Sequence, residues 1–417
     1  MFTETVGDSD ASETATEPTT TDPTVSETES ATETTIGGVC TESSECEAGV
    51  CVDMQCVPCG EAPDPDAACE EANPDLPLCG DGGTLCVACT TTSCGGGTPA
   101  CDPDVGCVAC VEHSDCPDSA CHLSGPNQGS CFDTADVVEV SDLEEFENAF
   151  VQGNPGGQLV IRLAPGTIQV QGGLTSQLAE VALIGNDSEF TGGATALFFN
   201  IPDLFYVAGV RFNDGPLSRT FSCNEGEELW LDDVSISNYG WGVFSSGDVY
   251  VRRSQFRGNP GETNNTGVLL SGGSFTAVNS DFGPAGDPMF SISNADLDVR
   301  YSTIAGNQTG IQCDGDSSGV IRNSIITNIG TSAFGTCGLS FIDNAIDQEF
   351  FGGTVVPSYD PDWFTISSGS RFYLSPSGVE VFEGIADWDD GDPVVDIEGD
   401  PRPQDAPGFP GVDEPVR

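Results

Sequence analysis

The chain has 417 residues, with 67 acidic side chains against 11 basic ones and a formal net charge of −56. Such a balance repels phosphate and excludes nucleic acid and anionic membrane surfaces as partners. It also disfavours an acidic polysaccharide, unless a local arginine patch or bound calcium intervenes. All eleven basic residues are arginine, and no run of about 18 apolar residues exists to cross a membrane.

Residues 1–39 form a Thr/Glu/Ser/Pro tract with almost no apolar content. Such a segment cannot offset its own ordering entropy, so it is expected to be a disordered, acidic tether. Met1-Phe2-Thr3 shows no basic n-region, apolar h-region or lipid-attachment cysteine, so the start reads as truncated.

Residues 40–133 read as a cysteine-rich module. Sixteen of the 19 cysteines fall here, in four groups of four. These are Cys40, Cys46, Cys51, Cys56; Cys59, Cys69, Cys79, Cys86; Cys89, Cys94, Cys101, Cys107; and Cys110, Cys116, Cys121, Cys131. Adjacent groups meet at a C-x2-C junction, and C-x5-C-x4-C occurs in both the first and last group. An even count among dense Pro and Gly predicts disulfides in an oxidising compartment, with three pairings open within each group. Zinc is the competing reading of C-x2-C. Every such pair lies inside a longer cysteine ladder, which favours disulfides. His113 and His122, the only histidines, are expected to be ordinary exposed loop residues. The block resembles short cysteine-rich repeats of secreted bacterial surface proteins in spacing alone.

Ser141-Asp142-Leu143-Glu144 reads as a capping box opening a short helix, with Leu143, Phe146 and Phe150 on one face. Leu159–Leu163 and Pro165-Gly166-Thr167 follow as strand and turn.

From about residue 205 to 346 an apolar register recurs roughly every 22 positions. With Val210, Val234, Ser254, Ser280, Ser302, Ser324 and Asn344 as reference positions, the residues two later are Phe212, Ile236, Phe256, Phe282, Ile304, Ile326 and Ile346. Those three earlier are Val207, Leu231, Val251, Ala277, Val299, Ile321 and Phe341; those five earlier are Phe205, Leu229, Val249, Phe275, Leu297, Gly319 and Leu339. Alternation inside each repeat has period two, the signature of strands. The residue just before the reference position is Gly, Asn or Asp in five of seven repeats, which predicts a left-handed corner. Repeats this short cannot close a core alone and must stack. The expected fold is all-β: a right-handed parallel β-helix over residues 134–396, three short strands per coil, with a 397–417 C-terminal tail.

Segments such as VYVRRSQFRGN, LDVRYSTIAGN and GVIRNSIITNI resemble coils of the pectin-lyase-like superfamily across roughly residues 135–400. That resemblance implies a helix plugging the N-terminal end of the core, and a closing segment at Asp396–Glu414 like those of secreted bacterial β-helix proteins. It specifies fold better than function, since many chemistries and several non-enzymes share the scaffold.

Candidate chemistry is sparse. Asp232-Asp233 resembles the adjacent aspartates of polygalacturonase-like enzymes. It sits at the corner that Arg252-Arg253 occupies one coil later, however, and no NTDG-like or GHG-like segment accompanies it. For a lyase that holds calcium on carboxylates and uses an arginine base, the carboxylates would come from Glu225, Glu227, Glu228, Asp248, Asp296, Asp314 and Asp316. Arg252, Arg300 and Arg322 lie at the opposite end of the neighbouring strand, so a surface-charge reading is stronger; Asp314 and Asp316 are retained as catalytic candidates. Asp387–Asp392 departs from the EF-hand pattern, so no cofactor is implied and calcium is the one ion to test. Tyr206, Trp230 and Tyr250 fall in one outward column on successive coils about 4.8 Å apart. Flanked by Asp232 and Arg252, they are candidate ligands for sugar rings; inter-coil stacking is the plainer reading. Further recognition groups could project from Asn213–Arg219 and Gly258–Thr266. Cys223, Cys313 and Cys337 face inward, either as free thiols or with Cys313 and Cys337 bridged.

These observations point to a secreted or surface-tethered β-helix protein, a non-enzymatic adhesion protein contacting polysaccharide or cell-surface glycan. The alternative is a polysaccharide lyase or glycoside hydrolase. Oligomeric state is not encoded legibly.

Overall fold

A computed structural model describes residues 40, 43–46, 49–80, 84–90, 93–102, 105–170, 172–192, 198–213, 215, 219–258, 265–284, 288–306, 310–327, 337–348, 352–366 and 372–415. The expected tether lies outside them. The chain divides into two compact units, residues 1–88 and 89–417.

In the first unit, two four-cysteine groups each close by interlaced bonds, Cys40–Cys51 with Cys46–Cys56 and Cys59–Cys79 with Cys69–Cys86. Short hairpins bring the cysteines together, Val50–Val52 against Gln55–Val57 and Leu78–Cys79 against Cys86–Val87. A helix, Pro65–Ala72, starts with proline in its first turn, and the Asp64 carboxylate accepts from Ala67 N. The apolar centre is little more than Val50, Cys59, Ala62 and Cys69. A core that small depends on its cross-links, each worth about 3 kcal/mol for loops of this length.

The second unit begins with the other two groups, which repeat the same first-to-third and second-to-fourth pairing: Cys89–Cys101, Cys94–Cys107, Cys110–Cys121 and Cys116–Cys131. A parallel β-solenoid follows. Its coils have three strands, as in Glu228–Asp232, Ser235–Ser237 and Trp241–Ser245, and each strand pairs with its counterpart one coil away. The pairing reproduces the sequence register residue for residue. Phe212, Ile236, Phe256, Phe282, Ile304, Ile326 and Ile346 form one continuous ladder, and Val207 through Phe341 form another. These columns fill a buried core that is only partly covered at its ends, toward Val138, Leu143 and Leu159 at one and Leu339 and Phe341 at the other.

Every corner residue named by the register is left-handed. Gly209, Asp233, Arg253, Asn279, Tyr301, Asn323 and Asp343 have φ between 45° and 65°. For residues with a Cβ this conformation costs about 1 kcal/mol, and a buried hydrogen-bond ladder beside it supplies the compensation. Ser254 Oγ accepts from Val234 N (3.0 Å), Ser280 Oγ from Ser254 N, Ser302 Oγ from Ser280 N and Ser324 Oγ from Ser302 N (each 3.2 Å). Asn344 Oδ1 closes the row on Ser324 N at 2.9 Å. Each of these serine hydroxyls donates to the carbonyl two residues back, Arg252, Val278, Arg300 or Arg322. The serines of the reference column therefore bond the corner amides that the tight turn would leave unsatisfied.

The capping helix spans Leu143–Phe150 and drives Phe146 and Phe150 into the first coils, where Phe146 meets Phe190 edge-on at 4.9 Å. Its cap is displaced one residue from the expected box. Asp142 accepts from Glu145 N, and Glu145 reaches back to Ser141 N and Oγ.

Both flanking segments pack on the solenoid. The fourth cysteine group packs on the solenoid: Cys110, Cys116, Ala120, Cys121, Leu123 and Phe132 share a core with the outward-facing Val160, Ala182 and Tyr206. Residues 397–415 are no free tail either. Arg402 is buried with its guanidinium 4.1 Å over Tyr301, and donates to Asn279 Oδ1 and to the carbonyls of Phe409, Gly411 and Val412. Asn279 and Asn323 return bonds to Val395 O and Asp387 O, both at 2.8 Å.

Two substitutions test this architecture in chemical denaturation. Phe256→Asp puts an unpartnered carboxylate in the inner column and is expected to lower stability by several kcal/mol. Ser302→Ala removes the acceptor of Ser280 N and should cost about 1–3 kcal/mol. A loss below 0.5 kcal/mol, on the order of a surface substitution, would mean the ladder carries no load.

Candidate functional site

The corner column is the surface on which both flanking segments dock. Arg162 donates to the carbonyls of Pro117 (2.5 Å) and Ser119 (3.0 Å), and Arg253 to Glu112 (3.2 Å), so the fourth cysteine group sits over the first coils. Arg300 donates to Gly391 O at 3.2 Å and Arg322 to Asp389 at 3.1 Å, so the C-terminal segment sits over the later coils. Between them the corner stays open. A cleft of about 540 Å³ is lined by His113, Ser114, Arg162, Asn186, Asp232, Asp233 and Arg253, among others. It adjoins a second hollow of about 550 Å³ that shares Glu112, Ser114, Asp233 and Arg253 and reaches Tyr373, Ile397 and Glu398. Its walls alternate cationic donors with carboxylate acceptors, and Asp233 is exposed at the rim.

The expected residues divide. Asp232 and Arg252 do come together at 2.8 Å, but Asp232 is buried and also holds Arg253 through two bonds of 2.8 and 2.7 Å. Burial alone would raise its pKa; the hydrogen bonds from Arg253 and the charge of Arg252 outweigh it and hold the pKa below its ordinary value. Asp232 is thus a fixed anion that orients two guanidinium groups, ill suited to deliver a proton.

The aromatic column is corrected in one member. Tyr206 is 0% exposed, beneath the fourth cysteine group, with its hydroxyl 3.3 Å from Ser124 N. It cannot present a face to a ligand while that group is docked. Trp230 and Tyr250 are half-buried and stack at 4.3 Å with planes 17° apart. Each ring covers one face of the other, so the pair offers a sugar its edges and one outer face, not a broad platform. Trp230 Nε1 donates to Glu228 at 2.5 Å.

Asp314 and Asp316 lie on an exposed turn after Ile311–Asp314, away from the cleft residues. At Asp387–Asp392, the position expected to test calcium, Asp392 is buried, bonded to Arg322 and to Asn323 Nδ2, with Arg300 at 4.0 Å. Guanidinium charge occupies the place a cation would take. Three carboxylates do converge at Asp396, Glu398 and Asp413, with oxygens within 4.8 Å of one another. Asp396 already accepts from Glu398 N, Asp400 N and Glu414 N, and Asp413 from Leu374 N. Cys313 and Cys337 are bridged, while Cys223 is a free, buried thiol that burial pushes up to about 12. The projecting turns at 213–219 and 258–266 fall largely outside the described residues.

Both histidines depart from expectation. His122 is buried, stacked on Phe132 at 3.8 Å, its Nδ1 2.6 Å from Glu180. His113 is partly buried against the solenoid and lines the cleft. Spacing could not reveal this, because both partners lie more than 50 residues downstream, on the face that the cysteine group covers.

In class, the second unit is a parallel β-solenoid carrying docked disulfide-bonded groups. Residues 27–137 match the model of a family of unknown function, DUF8331. That match covers the cysteine block and stops at the first solenoid strand, Val137–Val140. No curated protein and no solved structure matches the chain. The disulfides place the chain in an oxidising, extracellular type of environment, and among the described residues no helix is long and apolar enough to cross a membrane.

Two predictions follow from the C-terminal docking. Arg322→Ala leaves the buried Asp392 with only a distant cation, and should cost on the order of 3 kcal/mol and expose the 384–400 region to protease. The carboxyl of Asp413 is raised to about 6, by burial first and then by Asp396 and Glu398. A carboxyl raised on folding favours the native state most below about pH 4 and loses that contribution as pH rises through 6. Asp413→Asn should therefore melt above wild type at pH 7.5 in chelator, with the gap closing at pH 4.

Proposed function

We propose that this is a secreted or cell-surface-tethered β-solenoid whose role is to bind glycan, not to cleave it. The supporting observation is the state of the carboxylates at the docking surfaces; Asp413, whose carboxyl is raised, accepts from Leu374 N and does not line the cleft. Asp232, Asp392, Glu180 and Glu414 are each held against arginine or histidine at the docking surfaces. A carboxylate fixed by guanidinium groups is a structural anion, whereas glycoside cleavage needs one carboxyl kept protonated. The open cleft, with donors from Arg162, Arg253 and Asn186 beside acceptors from Asp233 and Glu112, suits the mixed donor and acceptor character of sugar hydroxyls. The outer face of the Trp230–Tyr250 stack offers an apolar surface for a ring. The chain's charge favours a neutral glycan over a uronate polymer. On this reading the acidic 1–39 segment serves as the tether that holds the binding unit away from its anchor.

A second reading rests on one specific observation. Asp233 and His113 line the same cleft as Asp232, so an adjacent aspartate pair and a histidine do meet, as the pectin-lyase-like resemblance requires for a hydrolase. Asp233 would then be the working carboxylate.

The discriminating experiment is a glycan array beside reducing-sugar and unsaturated-product assays on the same polysaccharides. The binding reading expects retention without product, weakened roughly fivefold or more by Trp230→Ala and unchanged by Asp314→Ala or Asp316→Ala. Product release abolished by Asp233→Asn would replace it with the hydrolase.

A further inference from the structure

The chain holds two histidines, and both lie in the docked fourth cysteine group. His113 Nδ1 accepts from Cys121 N at 3.1 Å, which fixes the neutral ring with its proton on Nε2. Nε2 itself is buried and has no hydrogen-bond partner among the described residues. Nearby, His122 Nδ1 meets Glu180 of the solenoid, and Tyr206 sits edge-on to His113 at 6.0 Å. Protonating His113 therefore breaks the bond from Cys121 N and places a cation in an enclosed contact with no acceptor for its second proton.

We propose that residues 110–132 are an acid-operated cover, which protonation of His113 loosens from the solenoid, uncovering Tyr206 and lengthening the Trp230–Tyr250 stack by one ring. The consequence for ligand rests on the glycan-binding reading above; the opening itself does not.

Asp232 from the solenoid and Glu112 from its own segment favour the protonated ring of His113, whereas Arg252 from the next coil and His122 oppose it. Asp232 is already neutralised by Arg252 and Arg253. Burial, the largest influence, acts with Arg252 and His122 against the two carboxylates and lowers His113 to about 4. The other cleft-lining charges are Arg162, Arg253, Asp233 and Glu139. Arg162 bonds backbone carbonyls of the cover.

The sign follows. A histidine lowered on docking contributes its full share above about pH 6.5 and loses it as pH falls toward 4. Between pH 7.5 and 5 one such group shifts the docking equilibrium by roughly 25-fold. The bonds Cys110–Cys121 and Cys116–Cys131 keep the group internally closed, so it moves as a body.

The test is hydrogen exchange of the full chain at pH 7.5 and pH 5, corrected for intrinsic rates, in wild type and His113→Asn. Asparagine keeps an acceptor for Cys121 N and cannot take the proton. Protection over 110–132 should fall roughly 25-fold in wild type and stay level in the variant. Equal protection at both pH values in wild type, or an equal fall in both proteins, overturns the proposal. Should the variant not fold, the two histidine ring resonances of wild type decide: a His113 that titrates near 6.5 with the cover still protected also overturns it. Glycan retention at the two pH values is read separately. Normal opening with no retention at either pH refutes the binding reading and leaves the cover standing.

Discussion

The left-handed corner is the constraint on which the rest of the solenoid depends. One residue per coil must turn the chain through a right-angled step without leaving buried amides unsatisfied. The backbone solves the first requirement with positive φ and the serine column solves the second, each hydroxyl linking one coil to the next. Because the corner is fixed, the inner apolar columns fall into register. Because the corner side chains project outward in a row, they also form the surface on which both flanking segments are seated. Arg253 and Tyr301 illustrate the coupling. Neither is a natural left-handed residue, and each is held there by a docked partner: Glu112 with Asp232 in one case, Arg402 in the other.

Arginine is scarce here, and its placement is correspondingly informative. In a chain with so large an excess of carboxylates, a guanidinium is the natural directional fastener, bonding carbonyls and carboxylates in the same fork. Arg162, Arg253, Arg300, Arg322 and Arg402 all stitch a flanking segment to the solenoid. Of these five, Arg402 is buried and the others are half-buried.

The sequence was most legible where the physics is periodic. Alternation, repeat length and the glycine, asparagine and aspartate bias at the corner are local signals, and they located the inner columns of the register and the positive φ of its seven corner residues. Cysteine spacing likewise marked the four groups, and the Cys313–Cys337 bridge was one of two readings left open by their separation of one coil. What stayed illegible was docking. Tyr206 occupies an outward position that reads as exposed, and only the return of residues 110–132 across that face buries it. His113 and His122 read as loop residues for the same reason. The segment after Asp396, rich in Pro, Gly and Asp, reads as a tail although Arg402 anchors it. The pairing within each cysteine group could not be chosen by spacing, since four cysteines allow three arrangements. The serine ladder was present in the register but carried no apolar signal, so its role emerged only with the amide partners.

The interlaced pairing within each cysteine group has a consequence for how the block behaves under load. No bond joins one group to the next, so each is a closed link in a chain of four. Pulled from its ends, each link can extend only as far as the shortest of its three inter-cysteine segments allows, beyond the straightening of the two-residue spacers between links. The same independence makes the block countable: adding or deleting one whole link changes its reach by a fixed step and leaves every other bond where it was.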